Sequence, residues 1–242
     1  MNGIHPLLLS EATPETAAHR LLSQTKGGSF IVTLNLELLT RALSSPDFAH
    51  LMKKADEIVC DGIGAKCLLK IGHPHTKIPR IPGIDLGYAI LKLAESRGLS
   101  IFLLGGKEGV AEEAAHRLQK GLPNLSIAGT AHGYFSKVDL PALRGRIRTS
   151  GAEIVFVCLG SPLQEEWILQ NRRYLPNVRL FLPLGGSLDV FAGAVRRAPH
   201  LWQSMGLEWA WRIAHEPHRI GRLWQTGVNL CSISPEKWKF FP

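Results

Sequence analysis

Short apolar runs alternate along the chain with longer amphipathic segments. The apolar runs are FIVTL (30–34), EIVC (57–60), IFLLGG (101–106), IAGT (127–130), IVFVCLG (154–160) and LFLPLGG (180–186). Continuous runs of this kind are typical of parallel strands buried on both faces. The intervening segments predict helices near 37–54, 63–71, 84–97, 109–121, 139–150 and 162–175. The pattern therefore predicts an α/β fold with a Rossmann-like, doubly wound, mostly parallel sheet.

The alternation ends near residues 195–207, where Arg196, Arg197 and Pro199 occur. We therefore predict an α/β core of residues 1–195 and a C-terminal, helical, Trp/Arg-rich appendage of residues 196–242. The appendage holds five of the six tryptophans, and its seven bases and three acids make up half of the net charge of +8. This composition suits an anionic surface, either nucleic acid or membrane headgroups. A solvated helix face with its tryptophans packed inward is the alternative.

The composition excludes several classes of protein. A chain of 242 residues that is 45% hydrophobic and 20% charged can bury one sizeable core and is not a disordered chain. No run reaches the roughly 18 apolar residues of a spanning helix, and MNGIHPLLLSEATPE lacks the basic start of a secretory signal. Four scattered cysteines without a CxxC pair suit reduced thiols. We expect a cytoplasmic protein.

Polar residues and glycines follow five of the six apolar runs. In open parallel sheets ligands bind beyond the carboxyl ends of the strands, so these residues are expected to share one site. They are Thr33, Asn35, Asp61, Gly62, Gly105, Gly106, Gly160, Ser161, Gln164, Glu165, Gly185, Gly186 and Asp189.

Each motif also has a purely structural interpretation. Gly105 and Gly106 can bring the backbone and a helix N-terminus close to a phosphate, or form only a tight turn; they do not fit GxGxxG. Asp61, in CDG, can accept a proton from an incoming hydroxyl or merely form a turn. Arg80, between two prolines, is either a phosphate clamp or an exposed loop charge.

Three arginines of the appendage are spaced for one helical face. Arg212, Arg219 and Arg222 would form a diphosphate clamp if they converge, and are separate surface charges otherwise. Pro217 interrupts this helix and weakens the argument for a shared face. No DxD motif and no cluster with metal-ligand spacing occurs, so neither a metal nor a cofactor is predicted. This disfavours a metal-dependent sugar-nucleotide transferase.

Taken together, these motifs resemble the WecG/TagA/CpsF family of bacterial glycosyltransferases. The resemblance runs from about Thr33 to Arg222. It is carried by TLN (33–35), DEIVCDGIG (56–64), IPRIPGIDL (78–86), FLLGG (102–106), CLGSPLQEEW (158–167), LGGSLDVFAG (184–193), RRAP (196–199) and GLEWAWRIAHEPHRIGR (206–222). Each motif alone is weak, but their order and spacing are specific.

The resemblance implies an inverting, metal-independent transfer of a sugar from a UDP-sugar to a polyprenyl-diphosphate-linked acceptor at the membrane. The sugar would be N-acetylmannosamine or a related hexose, and a glucosyltransferase for capsule or exopolysaccharide is an alternative. Asp61 resembles the catalytic base, with Thr33, Asn35, Arg80 and Gln164 also matching family site positions. The arginines at 212, 219 and 222 match those that hold the acceptor's diphosphate. The enzyme would attach to the inner face of the cell membrane.

Two other classes of function remain open from the residues alone. A nucleotide-dependent oxidoreductase would use the same layers, although the chain lacks the dinucleotide fingerprint. A module that binds nucleic acid through its basic tail would leave the polar strand ends unexplained. We predict no nucleic-acid partner. Self-association into a homo-oligomer stays open.

Overall fold

A computed structural model describes residues 8, 10–11, 13–24, 27–216 and 220–233, without the side chain of Arg222. Its centre is one sheet of six strands, in which every described pairing is parallel. The strand order is β2-β1-β6-β5-β3-β4. The strands are β1 (Ser29–Leu34), β2 (Glu57–Cys60), β3 (Ser100–Gly105), β4 (Ser126–Ala131), β5 (Ile154–Cys158) and β6 (Leu180–Pro183). The predicted α/β, doubly wound fold is confirmed.

Helices connect the strands and cover the sheet. The core helices are α1 (Pro14–Gln24), α2 (Leu36–Ser44), α3 (Pro46–Met52), α4 (Ile63–Gly72), α5 (Gly83–Arg97), α6 (Val110–Gly121), α7 (Leu140–Thr149), α8 (Leu163–Asn171) and α9 (Ser187–Phe191). The helix predicted over 37–54 is two helices, because Ser45 ends α2 and caps α3, and Pro46 occupies the first turn of α3.

The core consists of two apolar clusters, one on each face of the sheet. Alternation along β3 illustrates the division: Ile101 and Leu103 belong to one cluster, and Phe102 and Leu104 to the other. Helices α1, α5, α6 and α9 cover the first face, whereas α2, α3, α4, α7 and α8 cover the second. Because successive side chains of a strand point to opposite faces, both clusters need a continuous apolar run.

Three further helices make up the described part of the appendage. They are α10 (His200–Ser204), α11 (Glu208–His215) and α12 (Ile220–Ser232). Helix α12 packs against α2 of the core, and Trp202 of α10 meets Trp211 of α11 edge to face at 5.8 Å. No helix in the described ranges is long and apolar enough to cross a membrane. The division of the chain at residue 195 stays a prediction.

Candidate active site

A cavity of about 520 Å³ lies beyond the carboxyl ends of β1, β2 and β6. The loops after these strands form its floor, and helices α11 and α12 of the appendage complete its wall. Its charged, hydroxyl and amide side chains are Thr33, Asn35, Glu37, Asp61, Arg80, Ser187, Arg197, Glu208, Arg212 and Thr226. Six residues predicted from the sequence are therefore brought together here: Thr33, Asn35, Asp61, Gly62, Arg80 and Arg212.

Thr33 and Asn35 fix the loop between β1 and α2. The Thr33 hydroxyl donates to the carbonyl oxygen of Pro183 at 3.0 Å, which joins the ends of β1 and β6. The Asn35 side-chain oxygen accepts from the Leu38 amide at 3.0 Å and caps α2. Both side chains thus have a structural contact, and both also line the cavity. Their bonds hold this part of the wall rigidly.

Asp61 follows β2 and is held at two points. Its amide donates to the carbonyl oxygen of Leu34 at 2.9 Å. Its Oδ1 accepts from the amide of Gly83, the first residue of α5, at 3.0 Å. A Cβ at position 83 would lie 3.3 Å from the Thr33 side chain, a tight contact, and in ordinary contact with Oδ2 of Asp61 at 3.5 Å. One carboxylate is therefore placed at a defined position on the cavity wall.

The surroundings of Asp61 make its carboxylate more basic than usual. Burial raises its pKa to about 6, against an ordinary value of 3.8. The Gly83 amide and the charges of Arg212 and Arg80 oppose this rise, whereas the charge of Glu208 adds to it. A carboxylate with this pKa is mostly ionised at pH 7 and accepts a proton more readily than an exposed aspartate.

Arg80 connects the core side of the cavity with the appendage. Its Nη2 donates to the carbonyl oxygen of Gln203 at 3.2 Å. The turn after α10 contains Gly206, whose φ of +73° is a conformation that favours glycine. A Cβ at Gly206 would lie 2.9 Å from the Cβ of Ile63 and 3.1 Å from Nη1 of Arg80. The appendage therefore approaches the core closely where Arg80 lies.

The three arginines predicted for the appendage have different outcomes. Arg212 lines the cavity, and its charge acts on Asp61. Arg219 lies outside the described residues. Arg222 is described only as part of the backbone of α12. Whether Arg219 and Arg222 converge with Arg212 therefore stays a prediction.

Gly105 and Gly106 lie at the end of β3 and are not among the described residues that line the cavity. Their φ angles are +137° and +71°, and a Cβ at Gly105 would collide with the carbonyl oxygen of Cys158. The amide of Gly133 donates to the carbonyl oxygen of Gly106 at 2.8 Å. The positive φ angles and the lack of room for a Cβ require glycine at both positions, whether or not a phosphate binds nearby.

Gln164, Gly186 and Asp189 lie at or beside the loop that follows β6. The Gln164 side chain is buried; its oxygen accepts from the Gly185 amide at 3.0 Å and its nitrogen donates to Glu165 at 2.8 Å. Gly186 precedes α9, and Asp189 lies in the first turn of that helix. The described cavity lining reaches this region through Leu184, Ser187 and Val190 rather than through these three predicted residues.

Arg197 and Glu208 were not predicted as site residues, although both line the cavity. Arg197 Nη1 lies 2.6 Å from Asp85 Oδ1, and its Nε lies 3.2 Å from Glu208 Oε1. The RRAP and GLEWAW motifs contained both residues, but the three partners are far apart in sequence. Neither Asp85 nor Glu208 lies within one helical turn of Arg197 in the sequence, so the sequence does not indicate that they pair.

Within the described part of the chain, no group of three or more His, Cys, Asp and Glu side chains is arranged to hold a metal ion. The charged groups at the cavity are instead carboxylates and guanidinium groups. Such a set can accept a proton, and it can stabilise a phosphate or diphosphate.

One comparison with known proteins bears on this arrangement. Residues 4–234 match the family model described as the Glycosyl transferase WecG/TagA/CpsF family. The matched range includes every site residue predicted from the sequence.

Proposed function

Since the chain belongs to the WecG/TagA/CpsF family of cell-envelope glycosyltransferases, we propose that it is inverting, metal-independent and UDP-sugar-dependent. It moves N-acetylmannosamine or a related hexose to a polyprenyl-diphosphate-linked sugar. The observation that carries the proposal is the Asp61 carboxylate, anchored on Gly83 in a cavity that also presents Arg80 and Arg212.

Asp61 acts as the general base. It takes the proton from the attacking hydroxyl of the acceptor sugar as that oxygen bonds to the anomeric carbon of the donor. The bond from the anomeric carbon to the UDP oxygen breaks on the opposite side, so the configuration inverts. The pKa of about 6 favours this role, because the group is ionised at neutral pH yet basic enough to bind the proton.

Positive side chains balance the charge of two diphosphates, that of the leaving UDP and that of the lipid-linked acceptor. The leaving UDP gains negative charge, which guanidinium groups or backbone amides can stabilise without a metal. We assign Arg80 to this task, with the backbone around Gly105, Gly106 and Gly186, and with Gln164 and Asp189 as further donor-side residues. Arg212, Arg219 and Arg222 bind the diphosphate of the acceptor.

The appendage brings the enzyme to its lipid-linked acceptor. Several of its large apolar side chains are exposed, among them Trp209 at 51% and Trp224 at 75%. Aromatic residues favour the headgroup layer, and each nearby basic residue adds about 1 kcal/mol of attraction to an anionic surface. We therefore propose reversible attachment to the inner face of the membrane.

A panel of UDP-sugars with a short-chain lipid-diphosphate acceptor tests the proposed reaction. We expect one donor to be turned over by the full chain, with UDP released in equal amount and the product of inverted configuration. Absence of transfer from every UDP-sugar would contradict the proposal. Stabilisation in a thermal-shift assay by NAD, but not by UDP, would instead support an oxidoreductase.

Sedimentation with anionic liposomes tests the membrane attachment. We expect the full chain to sediment, and a chain truncated after residue 195 to remain in solution and lose turnover. Full activity of the truncated chain on a lipid-linked acceptor would contradict the role of the appendage.

A further inference from the structure

Arg197 joins the core to the appendage through two carboxylates. One partner, Asp85, lies in the first turn of α5, and the other, Glu208, lies in the first turn of α11. The side chain of Arg197 is 23% exposed, and its Nη2 is buried. Water competes less for such contacts than for ion pairs at the surface, so the pairing restricts how α11 can move relative to α5.

Both helices contribute groups that act on the proposed base. Helix α5 begins with Gly83, whose amide holds Asp61. Helix α11 carries Glu208 and, one turn later, Arg212, so the two side chains share a helical face and both line the cavity. The position of α11 therefore sets the distance between the Arg212 guanidinium and the Asp61 carboxylate.

The electrostatics at Asp61 depend on the same helix. The charged groups that act on its carboxylate are Arg80 from the core, and Glu208 and Arg212 from α11. The adjacent Cys60 thiol, with its pKa raised by burial to about 12, is neutral at pH 7. Two of the three charges thus reach Asp61 through α11, and Arg197 binds the acidic one directly.

We propose that Arg197 is a positioning residue, which binds Asp85 and Glu208 together and so holds α11 with Arg212 directed at Asp61. This inference rests on the proposed transfer reaction, in which Arg212 binds the diphosphate of the acceptor. Arg197 acts through Arg212 and needs no contact with the substrate. A salt bridge with a merely structural role would stabilise the fold without affecting the contribution of Arg212.

A double-mutant cycle in the full chain tests this coupling. The variants are Arg197→Ala, Arg212→Ala and the double variant, and kcat/KM is measured with a soluble short-chain acceptor. We expect each single change to lower kcat/KM by about 10–10²-fold, as for a misplaced catalytic group. The kcat/KM of the double variant should be at most about twofold lower than that of the less active single variant, because both changes remove the same interaction. Losses that multiply would overturn the proposal.

Two further variants separate positioning from folding. Arg197→Lys keeps the charge but loses the planar fork that meets two carboxylates, so we expect partial recovery of kcat/KM. If Arg197→Ala does not fold, the cycle is run with Arg197→Lys, with the same expectation of non-multiplicative losses. Arg196→Ala is the matched control at the exposed neighbouring position and should retain normal activity.

Hydrogen exchange gives a readout that does not depend on activity. Amides of α11 should exchange at least about tenfold faster in Arg197→Ala than in Arg196→Ala, because their helix is released from α5. Unchanged exchange over 208–215 would overturn the proposal. If the unmodified chain transfers no sugar, the proposed function fails, while the exchange rates still decide whether Arg197 holds α11.

Discussion

The carboxyl edge of the sheet has two halves that differ in what fills them. Beyond β2, β1 and β6, the strand ends surround a cavity of about 520 Å³ with charged side chains on its wall. Beyond β3, β4 and β5, the loops pack directly on each other: a Cβ at Gly105 would collide with Cys158, and Gly133 binds Gly106. The first half presents charged side chains to a cavity, whereas in the second half backbones approach one another closely. Glycine and polar residues after a strand thus predict a loop with a specific conformation, but they do not predict whether that loop lines a cavity or packs against its neighbours.

Replacing the carboxylate of the open half should have the largest effect. Asp61→Asn keeps the shape and the contact with Gly83 but removes the base, so transfer should fall by about 10²–10⁴-fold. Steady-state kinetics measure this, and UDP binding should be nearly unchanged. Asp47→Asn, at an exposed position on α3, is the matched control. Near-normal turnover by a folded Asp61→Asn protein would leave Asp61 as a turn former only.

A substitution in the packed half should lower the stability of the fold. Gly105→Ala places a Cβ against Cys158 at a φ of +137°, so we expect a loss of about 2–4 kcal/mol in the free energy of unfolding. Gly62→Ala is the control in the open half, because its Cβ would lie 3.6 Å from Asn35 with ordinary backbone geometry. Denaturant unfolding compares the two. Equal stability of both variants would remove the distinction between the halves.

The basicity of Asp61 should lower the stability of the protein. Its pKa of about 6 in the folded state exceeds the ordinary value of 3.8, so ionisation disfavours the folded state as the pH rises through this range. Asp61→Asn should therefore raise the free energy of unfolding at pH 7 by about 1–3 kcal/mol. The gain should vanish well below pH 3.8, where the carboxyl is protonated in both states. Destabilisation at pH 7 would contradict this.

Activity should follow the same ionisation. Only the unprotonated carboxylate can act as a base, so kcat/KM should fall about tenfold per pH unit below the pKa of about 6. A pH profile with a non-ionising acceptor checks this. An acidic limb near pH 4 would contradict the raised pKa of Asp61 in the free protein.

Chelation should have the smallest effect. The open half presents guanidinium groups, with Arg80 assigned to the leaving diphosphate and Arg212 to the diphosphate of the acceptor, so this charge can be stabilised without a metal. We expect the rate of transfer to be unchanged in excess EDTA. Loss of activity that Mg²⁺ or Mn²⁺ restores would show that these arginines are insufficient.

Periodicity predicted most of the sheet and its helices, because strands buried on both faces leave a strong apolar signal. The runs over 154–160 and 180–186 were predicted too long, since apolar residues continue into the loops after Cys158 and Pro183. Helix α1 was not predicted; two of its four buried residues are alanines, which give a weak apolar pattern. The strand order was not predictable either, since a run looks the same whichever strands flank it.

The candidate site was predictable only where it follows a strand. Asp61 and Asn35 directly follow buried runs, and Thr33 lies at the end of one, so their place at the carboxyl edge follows from the sheet itself. Arg197 and Glu208 reach the cavity from the appendage, and their pairing with Asp85 depends on how that segment folds back. No periodic pattern encodes such a return of the chain.

The position of β6 has a consequence for synthesis of the protein. β1 and β2 can pair as soon as both have left the ribosome, and so can β3, β4 and β5. Only β6 joins these two sets, through Ser29–Leu180 and Ile154–Leu180 pairings on its two sides. Until Pro183 emerges, the nascent chain therefore carries two half-sheets with open inner edges, which are sites for aggregation. The cavity wall is completed last, when α11 and α12 of the appendage have followed β6.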